Sequence, residues 1–203
     1  MSTRNVIFDM GQVLIHWQPD MLLTGFDISP EDNRILLTEM FRSVEWMQLD
    51  HGTIREEKAV EQICSRVPSH LHQCVKTIVT AWWTVVLTPV PGMAQLVADL
   101  KGKGYGLYLL SNAAVNLRQY FFRIPGSEYF DGIMVSAEEK LVKPQYGIYE
   151  RLYERFGLEP SECFFIDDSP ANIEAAMCTG MPGTVFHGNV ERLRRELTEA
   201  GIL

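Results

Sequence analysis

The residues of this chain that can do chemistry sit at the ends of its apolar runs. "NVIFD" ends on Asp9, "GLYLLS" ends on Ser111 with Asn112 next, and "CFFID" ends on Asp167 with Asp168 next. Lys143 lies in "EEKLVKPQYGIY", shortly after the run "GIMVS", and Pro144 steers it away from helical geometry. Each has an ordinary use. A strand-terminal Asp forms turns, a Ser-Asn pair caps a helix, and Ser169 with Pro170 can open one behind Asp167-Asp168. A loop lysine can be merely solvated. Their order at successive run ends points instead to one shared site of carboxylates, a hydroxyl and an ammonium.

Clustered carboxylates repel, so a divalent cation or the lysine has to stabilise them. A hard cation held by carboxylate oxygens points to Mg²⁺, which keeps several waters and suits phosphate substrates. In such a site the cation and Lys143 would neutralise phosphoryl oxygens, while Ser111 and nearby backbone N–H groups hold them. Asp9 is then free to attack phosphorus in line, giving an aspartyl-phosphate that water hydrolyses.

These residues need elements that bring them to one place. "NVIFD", "GLYLLS", "GIMVS", "CFFID" and "GTVFH" read as five buried strands. Helical patterns alternate with the later strands. Met93, Leu96, Val97 and Leu100 form an i, i+3, i+4, i+7 stripe, and "YGIYERLYERFG", "SPANIEAAM" and "NVERLRRELTEAG" follow. The pattern predicts an α/β fold: a Rossmann-like parallel five-stranded sheet with helices on both faces, whose carboxyl edge carries the site. Residues 19–88 break the rhythm and read as an all-helical insert, so the expected division is a core of 1–18 and 89–203 and a helical cap of 19–88. Ser29, Pro30 and Asp32 read as one helix start, and Thr53 with Glu56 as another. The second start leads into a stripe of Val60, Ile63, Cys64 and Val67, and a third stripe is Leu71, Val75, Ile78 and Trp82.

The 203 residues carry a net charge of −8, which argues against nonspecific nucleic-acid binding and requires local positive groups for any anionic substrate. Cys64, Cys74, Cys163 and Cys178 lack ligand spacing and read as free buried thiols, and His70 and His72 have no partners at metal-ligand spacing. With no leader pattern and no run approaching about 18 apolar residues, the expectation is a cytoplasmic protein without membrane contact. It would meet a small phosphorylated metabolite as a monomer or homodimer.

At this point the chain resembles a known family. "FDMGQVL", "LLSN", "KLVKPQYGIYERL" and "FFIDDSPANIEAAMCTGM" match, in order, the four motifs of the haloacid dehalogenase-like hydrolases. The helical insert resembles the cap of their first cap class. Within the superfamily the chain looks most like the small bacterial sugar-phosphate phosphatases, including the alpha-D-glucose-1-phosphate phosphatase group. The resemblance implies Asp9 as nucleophile and Mg²⁺ ligand, Asp168 as second carboxylate ligand, and the Gly11 carbonyl as a further metal oxygen. It implies Ser111 and Asn112 at the phosphate, Lys143 as charge stabiliser, and Asp167 orienting Lys143 or the metal's waters. Met10, Gly11, Ser111, Asn112, Lys143 and Trp46 are the expected substrate contacts.

One departure stands out. Most phosphatases of this superfamily read Asp-x-Asp in the first motif, and the second Asp serves as general acid and base. Here that place is Gly11. Three readings compete: a phosphatase for esters with a good leaving group, such as glucose 1-phosphate; a metal-free 2-haloacid dehalogenase using Asp9; and a binding or regulatory protein with a relic site. Gln12 or His16 is a candidate to replace the missing acid. In "VEWMQLDHGTIRE", Trp46 and Asp50 precede a turn at Gly52, just before the second cap helix, and that turn could point them into the site.

Overall fold

The computed structural model describes residues 2–203. Seven strands occur in chain order: β1 (Asn5–Phe8), β2 (Ile15–His16), β3 (Thr88–Pro89), β4 (Gly106–Ser111), β5 (Gly132–Val135), β6 (Cys163–Asp167) and β7 (Gly183–Val185). The helices α1 (Pro19–Leu23), α2 (Pro30–Leu36), α3 (Val44–Asp50), α4 (Glu56–Cys64) and α5 (His72–Ala81) fall between β2 and β3. They are followed by α6 (Met93–Gly102), α7 (Leu117–Tyr120), α8 (Ser136–Glu139), α9 (Tyr146–Phe156), α10 (Pro170–Cys178) and α11 (Val190–Glu199).

The five apolar runs form one sheet in the order β5-β4-β1-β6-β7, and every neighbouring pair is parallel. Successive side chains of a strand face opposite sides. On β1, Val6 and Phe8 join the apolar cluster that contains the α6 stripe Met93, Leu96, Val97 and Leu100. Ile7 joins a second cluster with Ile148, Tyr149 and Leu152 of α9 and Ile173 of α10. Helices therefore cover both faces, which is why these strands are continuously apolar. The chain starts in the middle of the sheet, winds outward through β4 and β5, then crosses back to β6 and β7. The carboxyl ends of β1 and its neighbours are thus the place where strand order reverses and a crevice opens.

The segment predicted to be helical is helical, and the strands that enter and leave it pair as a short antiparallel hairpin, Ile15 with Pro89 and His16 with Thr88. The Val90 N–H donates to Leu14 C=O at 2.9 Å and extends this staple. Ser29 caps α2 as read: its hydroxyl accepts the Asp32 N–H at 3.1 Å and donates to the Asp32 carboxylate at 2.8 Å. The stripe Leu71, Val75, Ile78 and Trp82 is buried throughout.

Two local expectations need correction. Thr53 does not cap α4, which starts at Glu56 behind Arg55 with no side-chain cap, while the Thr53 hydroxyl donates back to Gln48 C=O at 3.4 Å. Trp46 and Asp50 precede a turn at Gly52, as read. They lie on α3, opened by Ser43, whose hydroxyl accepts the Trp46 N–H at 3.3 Å. All four cysteines are free, as expected, but Cys178 is exposed and Cys64 only partly buried, because each lies at the last residue of its helix.

Candidate active site

Asp9 is the first residue after β1, and its N–H donates to Ile166 C=O at 2.9 Å, so the sheet ladder extends to this carboxylate. Phe8 is in register with Leu109 on one side and Ile166 on the other. One residue further, Asp9 is level with Leu110 and Asp167, and Ser111 ends β4 just beyond. Lys143 arrives from the connection between α8 and α9. The Asn112 side-chain amide clamps the Lys143 backbone on both sides, donating to Lys143 C=O at 2.9 Å and accepting Lys143 N–H at 2.8 Å.

The Lys143 ammonium donates three hydrogen bonds, to Asp9 Oδ1 at 2.7 Å, Asp167 Oδ2 at 2.7 Å and Leu110 C=O at 2.9 Å. That exhausts its donors. Burial alone would discharge this lysine, but Asp9 and Asp167 outweigh it, so its pKa rises and it stays charged. Asp167 is also fully engaged, accepting the Ser169 N–H at 2.8 Å and the Asn172 side-chain amide at 2.9 Å. By contrast, Asp168 is exposed and its carboxylate holds no side-chain partner, and the Ser111 hydroxyl has none either among the described residues. Both line a cavity of about 270 Å³ together with Asp9, Met10, Gly11, Asn112 and Lys143.

The charges at the cavity floor do not balance. Oxygens of Asp9, Asp167 and Asp168 lie within 4.8 Å of one another, and one lysine faces the three carboxylates. Burial, with the Asp167 charge adding, pushes Asp9 up to about 6 against the opposing pull of Lys143 and the Met10 N–H. Burial and then Asp167 also raise Asp168. An oxygen-rich, electron-rich cluster that lacks one positive partner is the donor set a hard divalent cation requires, and the residues present fit Mg²⁺.

The cavity has a second wall, contributed by the segment between β2 and β3. Trp46 lines it, as expected, but Trp17, Leu49, Val79 and Trp82 line it too, none of them singled out from sequence for this site. Trp17 stacks on Trp46 with centroids 6.0 Å apart and leans on Trp82 at 4.4 Å. Asp50, Asn116 and Tyr120 complete the wall. The signal for Asn116 and Tyr120 was absent, because their role comes from facing the insert. Asn116 donates to Glu56 of α4 at 2.8 Å and to Val79 C=O of α5 at 3.1 Å.

Neither substitute acid suggested by the sequence is well placed. His16 sits on β2, paired with Thr88, and does not line the cavity. Gln12 lines it with φ 56°, but its Oε1 accepts the Trp17 N–H at 2.8 Å, which fixes the turn after β1. A Cβ on Gly11 would meet Trp17 Cβ at 3.6 Å, an ordinary contact.

Comparison with known proteins agrees with this geometry. The sesquiterpene phosphatase astK of Aspergillus oryzae is 30% identical over 181 residues, covering 87% of this chain and 86% of its own. Among solved structures, the HAD family enzyme bt-2542 from Bacteroides thetaiotaomicron, in complex with magnesium and inorganic phosphate, superposes with a TM-score of 0.73 at 22% identity, covering 93% of this chain and 96% of its own. The L-2-haloacid dehalogenase from Xanthobacter autotrophicus shares the fold with a TM-score of 0.67 at 18% identity, over 99% of this chain and 84% of its own. The haloacid dehalogenase-like hydrolase profile matches residues 4–178, and with Asp9, Ser111, Lys143 and Asp168 gathered at the carboxyl edge of a parallel sheet, the chain belongs to the haloacid dehalogenase-like hydrolases.

Proposed function

We propose that this hydrolase is a Mg²⁺-dependent phosphatase that cleaves a small phosphomonoester through an aspartyl-phosphate on Asp9. The carrying observation is the surplus of carboxylate at the cavity floor, three acids against one lysine. Phosphoryl transfer makes use of an added cation there, whereas displacement at carbon by a metal-free dehalogenase has no use for Asp168. The similarity to a phosphatase over nearly the full chain supports the same choice.

Asp9, Asp168 and the Gly11 carbonyl would hold the ion, which when bound supplies positive charge against the phosphoryl oxygens and lets Asp9 and the phosphate approach. The Lys143 ammonium, fixed by Asp167 and by the Asn112 clamp on its backbone, keeps Asp9 ionised and aimed. The unpartnered Ser111 hydroxyl and the N–H groups following Asp9 donate to the transferring group. Asp167 positions Lys143 and does not touch substrate. Residues 19–88 act as a cap over the core of 1–18 and 89–203 and exclude water from the crevice.

The aromatic wall sets the leaving group. Trp17, Trp46, Trp82, Leu49 and Val79 favour an alcohol with a broad apolar face. A sugar offers such a face only on one side of its ring. An isoprenoid alcohol, the class named for the fungal relative, offers it on every side.

A phosphate-release screen tests the reading. Glucose 1-phosphate, flavin mononucleotide and farnesyl phosphate are compared with and without Mg²⁺, beside halide release from 2-haloacids. Mg²⁺-dependent phosphate release is expected, highest on the esters of apolar alcohols, and Asp9→Asn abolishes it while leaving the melting temperature near that of the wild type. Halide release without phosphate release overturns the phosphatase reading. Binding of esters with no turnover favours a relic site instead.

A further inference from the structure

Resting on that reading, we propose that Asp50, carried into the cavity by α3, is the general acid and base of the reaction and does the work of the side chain that Gly11 lacks.

Four observations lead there. Asp50 lines the same cavity as Asp9, Ser111 and Asp168, yet comes from a different element and forms no hydrogen bond or ion pair with any of them. Its carboxyl has no partner anywhere among the described residues. An unpaired carboxyl in a largely apolar setting is a stability liability, so its presence calls for another use. Asp50 is half-buried and shares the cavity wall with Trp46, Leu49, Val79 and Trp82, and burial pushes its pKa up to about 7, with no neighbouring charge contributing. Near neutral pH it therefore still holds a proton to give, which is the condition for a general acid.

The third observation is that the backbone below it is fixed. The Ser136 hydroxyl donates to Asp50 C=O at 2.5 Å, and His51 Nε2 donates to Lys140 C=O at 2.8 Å. The Lys140 ammonium donates to Gly52 C=O. Gly52 has φ 64°, and a Cβ there would run into the Ala137 carbonyl, so the end of α3 is seated directly on α8. The position of Asp50 is thereby set by the core domain even though the residue belongs to the insert.

The fourth is elimination within the cavity. Lys143 and Asp167 are fully engaged with each other, Asp9, Leu110, Ser169 and Asn172, and Gln12 carries a neutral amide whose oxygen accepts the Trp17 N–H. The Tyr120 phenol is driven further from ionisation by burial, with the Asp50 charge adding, so it is a poor acid. Of the other ionisable groups on elements packed against α3, Glu56 is engaged with Asn116, Lys58 with Glu61, Glu39 and Glu45 with Arg66, Glu138 with Arg118, and Glu139 with Arg155, and neither these nor Glu57 lines the cavity.

The balance of the reaction is simple. As the Asp9 carboxylate bonds to phosphorus and the ester P–O bond breaks, the Asp50 carboxyl gives its proton to the departing oxygen and the alcohol leaves. A water then takes the alcohol's place. Its oxygen bonds to phosphorus, its proton passes to the Asp50 carboxylate, and the P–O bond to Asp9 breaks to release inorganic phosphate. Both residues return to their starting states.

Benzyl phosphate and p-nitrophenyl phosphate test this, because both place one aromatic ring against the same wall. The alkoxide leaving group of benzyl phosphate needs a proton, whereas nitrophenolate does not. Asp50→Asn is expected to lower kcat/KM for benzyl phosphate by about 100-fold or more and for p-nitrophenyl phosphate by no more than about five-fold. The variant should also release nitrophenol in a burst, since the phosphoenzyme loses its base. The wild type supplies an independent readout: kcat/KM for benzyl phosphate falls above pH of about 7, and this limb is missing with the nitrophenyl ester. Equal losses on both esters, unchanged rates, or identical pH profiles overturn the role of Asp50 while leaving phosphatase activity in place. A wild type that releases phosphate from neither ester overturns both readings.

Discussion

At the scale of single residues, the site divides into groups that satisfy one another and groups left open for a substrate. Lys143, Asp9 and Asp167 belong to the first kind, and Ser111, Asp168 and Asp50 to the second. The open carboxyl of Asp50 has a thermodynamic signature. Its folded-state pKa of about 7 lies above the ordinary 3.8, so between these values the folded protein binds more protons than the unfolded one. Stability is therefore lost as pH rises through that window, by on the order of 2–4 kcal/mol at full ionisation. Asp50→Asn removes the ionisation but keeps the shape. Denaturant melts from pH 4 to pH 8 should find the two proteins alike at the acid end and the variant more stable at the alkaline end. A gap that does not change with pH would show that the carboxyl is well solvated. The strand-end residues Asp9, Ser111 and Asp168 were legible in the sequence because an apolar run and its terminus are local signals, and Lys143 was legible by its place after the third run with Pro144 behind it. Asp50 was not legible as an acid, since its raised proton affinity comes from burial in a cavity whose wall includes Val79 and Trp82, some thirty positions away in sequence.

At the scale of elements, the sheet and its covering helices were readable because each strand is a continuous apolar run and each helix carries a stripe. α3 was hidden for a physical reason: at seven residues, "VEWMQLD" is too short to show a stripe, and its Ser43 cap has no acid three positions on. The Thr53 pattern misled because a hydroxyl followed by Glu56 looks the same whether it caps forward or bonds back to Gln48. The β2–β3 hairpin left no trace, since each strand is only two residues long. The junction of α3 with α8 can be tested through Gly52. An alanine there must adopt a positive φ, costing about 1 kcal/mol, and must also displace the Ala137 carbonyl. Gly52→Ala is expected to lower the melting temperature clearly and to slow benzyl phosphate turnover more than p-nitrophenyl phosphate turnover, because it shifts the seat of Asp50. Wild-type kinetics with both esters would show that the seat does not position the acid.

At the scale of the whole molecule, the insert and the core share one interior. Val6, Phe8 and Leu107 of the sheet lie in the same continuous apolar cluster as Leu36, Ile63 and Ile78 of the helical segment. A cap built this way does not own a separate core. Calorimetry should therefore give one transition whose calorimetric and van't Hoff enthalpies agree, and two resolved transitions would show independently folding units. The net charge of −8 also takes on meaning at this scale. On the proposed reading, an anionic ester would be repelled by the molecule at large and attracted only at Lys143 and at a cation held by Asp9 and Asp168, so the attraction would be confined to the crevice.

The Ser136 hydroxyl, which joins the end of α3 to the core, touches more than one carbonyl. Besides Asp50 C=O at 2.5 Å it lies 3.2 Å from Ala113 C=O, and it accepts the Ala113 N–H at 2.9 Å. A hydroxyl has a single proton to share between those carbonyls. If α3 lifts away, that proton turns fully to Ala113, two residues past Ser111, and no buried donor is stranded. For this one hydroxyl, separation of α3 from the core would exchange one acceptor for another, while the His51–Lys140 and Lys140–Gly52 hydrogen bonds would break. The Ser136 end of this junction is thus a changeover contact, and the resistance to separation lies with His51, Lys140 and Gly52.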